Sequence, residues 1–228
     1  FLPSVSVPEL PSDPSYYVNY ISAANYFETT YFSEDDKLRA NFFEAEQKRI
    51  NLKKHNNNVN DYLFKLKMKA DIKSFQKIDI KRLEQLINKS NQFNLTTKRY
   101  SYHDLLNIID NKTFTTFQVR LSDIYGENGI IAIVILKKDN NSYIIDTWIQ
   151  SCRILERKVE NYILQKIIEK AKSENIHYIV GLFIPTKKNG IVKEHYKRLG
   201  FKISKSAKTL YEWKLDAKKY KILNLPII

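Results

Sequence analysis

Apolar and polar positions alternate through Ile144-Ile145-Asp146-Thr147-Trp148-Ile149-Gln150 and then give way to a helical period. The first stretch, rich in β-branched and aromatic residues, predicts a half-buried strand. From Val159 the apolar residues Val159, Ile163, Ile167 and Ala171 recur at helical spacing, as do Leu164 and Ile168, and predict a helix. Strand alternation places Asp146, Trp148, Gln150 and Cys152 on one face if no bulge intervenes. Cys152 then stands where a strand ends and a helix begins, beside Arg153, Arg157 and Lys158.

The rest of the chain extends the pattern in both directions. Residues 1–14 are proline-rich and predict an edge strand or extended connector. Asp13-Pro14 starts a helix with Tyr17, Ile21, Ala24 and Phe27 in phase. Ser33-Glu34-Asp35-Asp36 caps a second helix reaching about residue 54, with Leu38, Phe42, Ala45 and Arg49 on one side. Asn56-Asn57-Asn58 ends that segment as a polar loop. A helical turn over 61–66, a strand over 67–75 and a helix over 79–89 follow, the last with Leu83, Leu86 and Ile87 inward. Ser101 caps a helix over 102–109, 114–123 is a strand, and Gly126-Glu127-Asn128-Gly129 reads as a hairpin turn. Residues 130–136, apolar throughout, form a central strand, and 177–184, 201–204 and 209–215 are further strands, with a helix over 190–199. The order is strand, two helices, three strands, helix, strand, helix, two strands. It predicts an α/β fold with a mixed sheet and helices on both faces, because a crossover helix forces the strands it joins to run parallel. The expected domains are a connector over 1–60, one domain over 61–216, and a basic, then apolar, tail over 217–228 that packs on a neighbour.

Composition narrows the class. The chain has 228 residues, 43% of them hydrophobic, which suits one full core. Its longest apolar run, 129–136, is far short of the ~20 residues a membrane span needs. One cysteine excludes an internal disulfide framework and, without a secretory leader, makes a reducing cytoplasm the expected compartment. The first residue is Phe1 rather than Met, which suggests a piece of a longer protein. The net charge of +13 invites a nucleic-acid reading, but the lysines are scattered without a dense block, so neither nucleic acid nor membrane is the expected partner.

Candidate chemistry gathers at Cys152. A cysteine on a strand is most often an inert small hydrophobe. A helix start and neighbouring cations would instead favour its thiolate. His195, on the helix before Leu199-Gly200-Phe201, reads either as an exposed helix residue or as a general base for Cys152. The stretch from Asn88 to Tyr100 reads either as a polar connection built on local turns or as a functional loop over the sheet opening. In the second case Asn91, Gln92, Asn94, Thr96 and Thr97 would hydrogen-bond a polar ligand, with Asp146 binding a hydroxyl or orienting a histidine, and Trp148 in the site or in the core.

The element order resembles that of the Gcn5-related N-acetyltransferase superfamily. A narrower likeness lies in NKSNQFNLTTKRY (88–100), GENGIIAIVIL (126–136), IDTWIQSCRILERKVE (145–160) and GLFIPTKKNGIVKEHYKRLGF (181–201), which closely resemble the C-terminal half of FkbH-like proteins. VPELPSDPSYY (7–17) resembles that family's passage beyond its N-terminal phosphatase-like module of the haloacid dehalogenase superfamily, which would sit in the same full-length chain. The resemblance implies a domain that loads a glyceryl-type acyl group onto an acyl carrier protein in polyketide-type extender-unit biosynthesis, by way of a cysteine thioester at Cys152. It matches Tyr196 to the tyrosine that protonates a leaving thiolate in many acetyltransferases, and Asn189 to an amide near the pantetheine. His195 and Tyr196, adjacent on a helix, point about 100° apart. Arg153, Arg157 and Lys158 fall where the family cradles a phosphate in an Arg-x-x-Gly-x-Gly turn. Here Glu156 and Lys158 replace both glycines, which disfavours free acetyl-CoA, so the expected ligand is the phosphopantetheine arm of the carrier, with no tightly bound cofactor and no metal. An acyl-CoA-dependent N-acetyltransferase and a non-catalytic carrier-docking module are the alternative readings.

Overall fold

The computed structural model describes residues 9–25, 34–56 and 58–228, with the side chains of 34–41 left aside. The expectations placed on residues 1–8, Phe27, Ser33, the Leu38 side chain and Asn57 fall outside the described residues. The chain divides into two compact units, 1–44 and 45–228. In the first, Asp13 accepts a hydrogen bond from the Ser15 amide at 2.9 Å and starts a 3₁₀ turn, Pro14–Tyr16, that leads into α1 (Tyr17–Ala23).

Helix α2 (Glu34–Lys54) crosses the division. Its last turns belong to the larger unit because Ala45 and Arg49 are buried there. Then come α3 (Val59–Lys65), β1 (Lys69–Lys73), α4 (Ile80–Lys89) and α5 (Tyr102–Asp110). Helix α5 starts on a full capping box, Ser101 and Asp104 each satisfying the other's backbone N–H. Three antiparallel strands, β2 (Phe114–Asp123), β3 (Gly126–Asp139) and β4 (Ser142–Gln150), lead to α6 (Val159–Ser173), β5 (Tyr178–Phe183), the short α7 (His195–Arg198), β6 (Lys202–Ser206) and β7 (Tyr211–Asp216).

The sheet order is β1-β2-β3-β4-β5-β7-β6, and only the β4–β5 pair is parallel, bridged by α6. Strand β3 is buried on both sides. Ile131, Ala132, Val134 and Leu136 join the core beneath α3, α6 and α7, while Ile130, Ile133 and Ile135 join the core beneath α4 and α5. The hairpin reverses at Ile124 and Tyr125, earlier than expected, because Asp123 pairs with Gly126. Gly126 and Gly129 instead lie inside β3, Gly129 at φ +67 beside a register shift, the backbone geometry of a bulge. The tail returns to the sheet, where Ile228 exchanges backbone hydrogen bonds with β1, accepting from Ala70 N–H and donating to the Met68 carbonyl. Among the described residues no helix is long and apolar enough to cross a membrane.

Candidate functional site

Strands β4 and β5 pair over only four positions, from Ser142↔Tyr178 to Ile145↔Gly181, and then diverge. A bulge at Asp146 opens the split, since Ile135 pairs with Thr147 while Leu136 pairs with Ile145. The bulge also undoes the expected single face. Asp146 takes hydrogen bonds from Lys98 and Tyr100, which precede α5, whereas the Trp148 ring stacks edge-on against His195 beneath α6 and α7. Burial and the Asp146 carboxylate raise the Tyr100 pKa far above the usual phenol range, so the hydroxyl stays protonated. Lys98 and Tyr100 carry no sequence signal of their own, since their shared partner lies more than forty positions away.

The space between the diverging strands is filled by the chain itself. Residues 93–96 run into it as bends around one isolated bridge at Asn94. The Leu95 amide donates to the Trp148 carbonyl at 3.4 Å, the Gln150 amide to the Phe93 carbonyl at 3.3 Å, and the Ile184 amide to the Leu95 carbonyl at 2.9 Å. Thr96 Oγ1 donates to the Asp146 carbonyl at 2.8 Å, and Asn94 bridges antiparallel to Ile149. Asn189, fully buried, fastens this segment to the end of β5. Its Nδ2 donates to the Asn94 carbonyl at 3.0 Å and the Ile184 carbonyl at 2.9 Å, while its Oδ1 accepts from the Thr186 amide at 2.8 Å. Asn94 Oδ1 holds the Thr97 amide at 2.8 Å. Asn94, Thr96, Thr97 and Asn189 are thus engaged in shaping the loop, while Asn91 and Gln92 remain exposed.

Cys152 is exposed and lines a cavity of about 630 Å³ together with Asn91, Gln92, Lys89, Lys187 and Lys188. It does not sit at the start of α6. It opens a 3₁₀ turn, Cys152–Ile154, capped by Ser151, and α6 begins only at Val159. The strand-to-helix junction is therefore a loop. His195 lines a different cavity of about 360 Å³, with Glu156, Glu160 and Arg198 on its walls. The two cavities share one lining residue, Phe93. His195 is 2% exposed, and burial, with a smaller push from Arg198, lowers its pKa to about 3. Its ring packs edge-on to Phe93 at 5.1 Å and Trp148 at 4.7 Å, and its Nε2 has no hydrogen-bond partner among the described residues. Tyr196 is also buried, its ring against the backbone of Gly181, and burial raises the pKa of its hydroxyl. Of the three expected catalytic side chains, His195 and Tyr196 pack ring to ring at 5.4 Å, while Cys152 lines a cavity separate from that of His195.

The expected phosphate-binding cations are divided as well. Arg157 is buried in an ion-pair network, 3.4 Å from Asp123 and 3.2 Å from Glu46, with Arg49 on the same Asp123 carboxylate at 2.8 Å. Lys158 donates to Asn60 at 2.7 Å, and Arg153 lies against Ser151.

The sequence matches no protein-family model and no curated protein. The structure resembles the ribosomal-protein-S18-alanine N-acetyltransferase from Escherichia coli, with a TM-score of 0.50 at 11% identity over 65% of this chain and 94% of that one. It resembles a spermidine/spermine N-acetyltransferase from Vibrio cholerae, with 0.52 at 16% identity over 67% and 96%. It also resembles the PaiA N-acetyltransferase from Thermoplasma acidophilum, solved in complex with coenzyme A, with 0.52 at 14% identity over 64% and 98%. The fold is that of the Gcn5-related N-acetyltransferases. At these identities the shared property is the fold.

In this acetyltransferase fold, the loop from β4 to α6 keeps a glycine-like backbone without its glycines. Glu156 at φ 65 and Lys158 at φ 59 both stand in the left-handed region, at the two positions where the resembled pattern has glycine. A side chain there is strained by about 1–2 kcal/mol. Glu156 makes only an exposed pair with Lys53 at 3.2 Å, a contact of little net value. Glu156→Gly should therefore raise stability by about 0.5–1 kcal/mol in urea denaturation, the glycine's extra unfolded-state entropy offsetting part of the relieved strain. An unchanged or lower midpoint would show that the turn is not strained.

Proposed function

We propose that this chain is an acyltransferase-like domain in which Cys152 accepts a small hydroxyacyl group as a thioester and passes it to the phosphopantetheine thiol of an acyl carrier protein. The observation that carries this reading is the placement of the exposed Cys152 on a roomy cavity rimmed by Lys89, Lys187 and Lys188, while the split between β4 and β5 is filled. A thiolate there can add to the carbonyl of an activated acyl donor and expel its leaving group, forming the C–S bond of the thioester. The carrier's thiolate then adds to the same carbonyl and releases Cys152. Lysines at the rim suit the negative charge of a phosphorylated donor or of a carrier's phosphodiester, and Asn91 and Gln92 offer amides to substrate hydroxyls. The net charge of +13 suits an acidic carrier by steering. The fold supports acyl transfer in general, and the likeness of 88–100, 126–136, 145–160 and 181–201 to FkbH-like sequences supports the glyceryl-type substrate.

A second reading, N-acetyl transfer from acyl-CoA, is favoured by the names of the structural neighbours, one of them solved with coenzyme A. The filled split and the side chains of Glu156 and Lys158 weigh against it. Incubating the full chain with a short hydroxyacyl thioester and recording its intact mass separates the two. Under the first reading one hydroxylamine-labile adduct forms on Cys152 and is absent from Cys152→Ala. Transfer to an amine by a Cys152→Ala variant at the wild-type rate would establish the second and sink the first.

A further inference from the structure

We infer that the outer edge of β6 is a docking site for an extended, acidic segment of a partner protein, one in which acidic and apolar side chains alternate. The inference stands apart from the acyl-transfer reading above. The sheet ends in β1 on one side and in β6 on the other. The chain's own tail lies along the first edge, where Ile228 exchanges hydrogen bonds with Met68 and Ala70 and Ile227 bridges to Met68. At the second edge β6 pairs only with β7 among the described residues, and all five of its residues are exposed. An edge of this kind presents backbone donors and acceptors that an incoming strand can take up.

The register of β6 fixes which side chains such a strand must carry. Ile203 pairs with Trp213, which pairs in turn with Gly181, so Ile203 shares the α7 side of the sheet. It is 51% exposed and lines two cavities, one of about 370 Å³ with Phe183, Tyr211 and Trp213, the other of about 640 Å³ with Leu199, Leu215 and Tyr220. Trp213 Nε1 is buried without an acceptor among the described residues, as expected where a partner supplies one. Lys202 and Lys205 pair with Lys214 and Glu212 and belong to the opposite side. Lys202 stands directly across from Lys214, a like-charge pair that weakens a sheet. Lys214 rests on the Tyr178 ring, 3.7 Å from its centroid, and Lys202 has no carboxylate partner among the described residues. Lys205 reaches Glu212 only at 3.6 Å. A strand laid along β6 therefore sets alternate side chains over the apolar groove and the others beside the lysines. Edge lysines repel a second copy of this chain, which carries a net charge of +13, and admit a segment whose other face is acidic.

Fluorescence anisotropy on the full chain, with a labelled strand-length peptide of alternating glutamate and valine, tests this. A peptide of the same composition, its glutamates and valines in separate blocks, is the control. The alternating peptide should bind, and bind more weakly as salt is added. At about ten times its Kd it should slow hydrogen exchange of β6 amides about tenfold, with β3 amides unchanged. Lys202→Glu combined with Lys205→Glu should lose about tenfold in affinity, the scale of two exposed ion pairs, and should bind the lysine–valine counterpart instead. Both side chains are exposed, so this variant should keep the wild-type unfolding midpoint. Ile203→Ser leaves the charges in place and should also cost about tenfold through lost apolar burial. Absence of binding at low salt would overturn the docking edge. Equal binding of the two glutamate peptides would reduce the effect to net charge and overturn it too, as would binding that leaves β6 amides exchanging freely. A concentration-dependent dimer with β6 amides already protected would make a second copy the occupant and remove the acidic partner.

Discussion

Gly181→Ala is expected to destabilise the protein by about 2–3 kcal/mol, the upper range for overpacking a close-packed core. A Cβ at this position would meet three ring atoms of Tyr196 at 2.4, 2.5 and 2.7 Å. Neither side has room to yield. Gly181 is clamped between strands, opposite Ile145 on one side and Trp213 on the other. The Tyr196 ring is 1% exposed and is packed against Phe201 at 5.0 Å and His195 at 5.4 Å. Tyr196→Phe should bring no relief, because the conflict is with ring carbons and not with the hydroxyl. Tyr196→Leu should relieve it, so that the double variant loses less than the sum of the two single losses in denaturant titrations. A Gly181→Ala protein within about 0.5 kcal/mol of wild type, a change typical of neutral sites, would show that the ring yields freely. The same contact explains why Tyr196 is held where it is. Its ring fills the space left by the glycine at the last β4–β5 pair.

Acidification from pH 7 to pH 5 should remove about 2 kcal/mol of stability through His195 alone. In the unfolded chain this imidazole has its ordinary pKa of 6.5, whereas burial lowers it to about 3 in the fold. Between those values the unfolded state binds a proton that the folded state does not. The stabilisation is therefore complete above pH 6.5, declines as pH falls, and is exhausted near pH 3. Glu156 and Glu160 share its cavity, and Arg198, which opposes protonation, lines the same wall. Glu174 acts in a different window. Burial pushes its carboxyl up, but hydrogen bonds from Lys170, Tyr143 and Lys138 outweigh that and hold it at about 2, so its contribution is lost only as pH falls from 4.5 toward 2. His195→Phe keeps the edge-on contacts with Phe93 and Trp148 and removes the titrating group. It should flatten the pH 5–7 limb while leaving stability at pH 7 near wild type. An unchanged limb in this variant would refute burial of His195 as its cause.

The amino-acid sequence by itself determined the elements whose stabilising partners are close in the chain. Helix α5 starts where Ser101 and Asp104 can cap each other, and α6 lies where Val159, Ile163, Ile167 and Ala171 form a stripe. The continuous apolar run of β3 marks a strand buried on two faces. From these the element order and the mixed sheet followed, as did the prominence of Cys152 and of the polar stretch around residues 88–100. Only the tertiary structure decided what those residues do, because their partners are distant in sequence. One extra residue at Asp146 turned it and Trp148 to opposite faces, an outcome set by pairing with β3 and not by alternation within β4. Arg157 reads as a free cation until folding brings Asp123 and Glu46 to it. Asn94, Thr96 and Asn189 read as ligands for a substrate until the parting of β4 from β5 leaves backbone groups that need them. His195 looks exposed on a basic helix, yet the aromatic rings of Phe93 and Trp148 enclose it. Local patterns specify which segments are strands and helices; which polar groups remain free depends on the hydrogen bonds and burial that only the assembled sheet supplies.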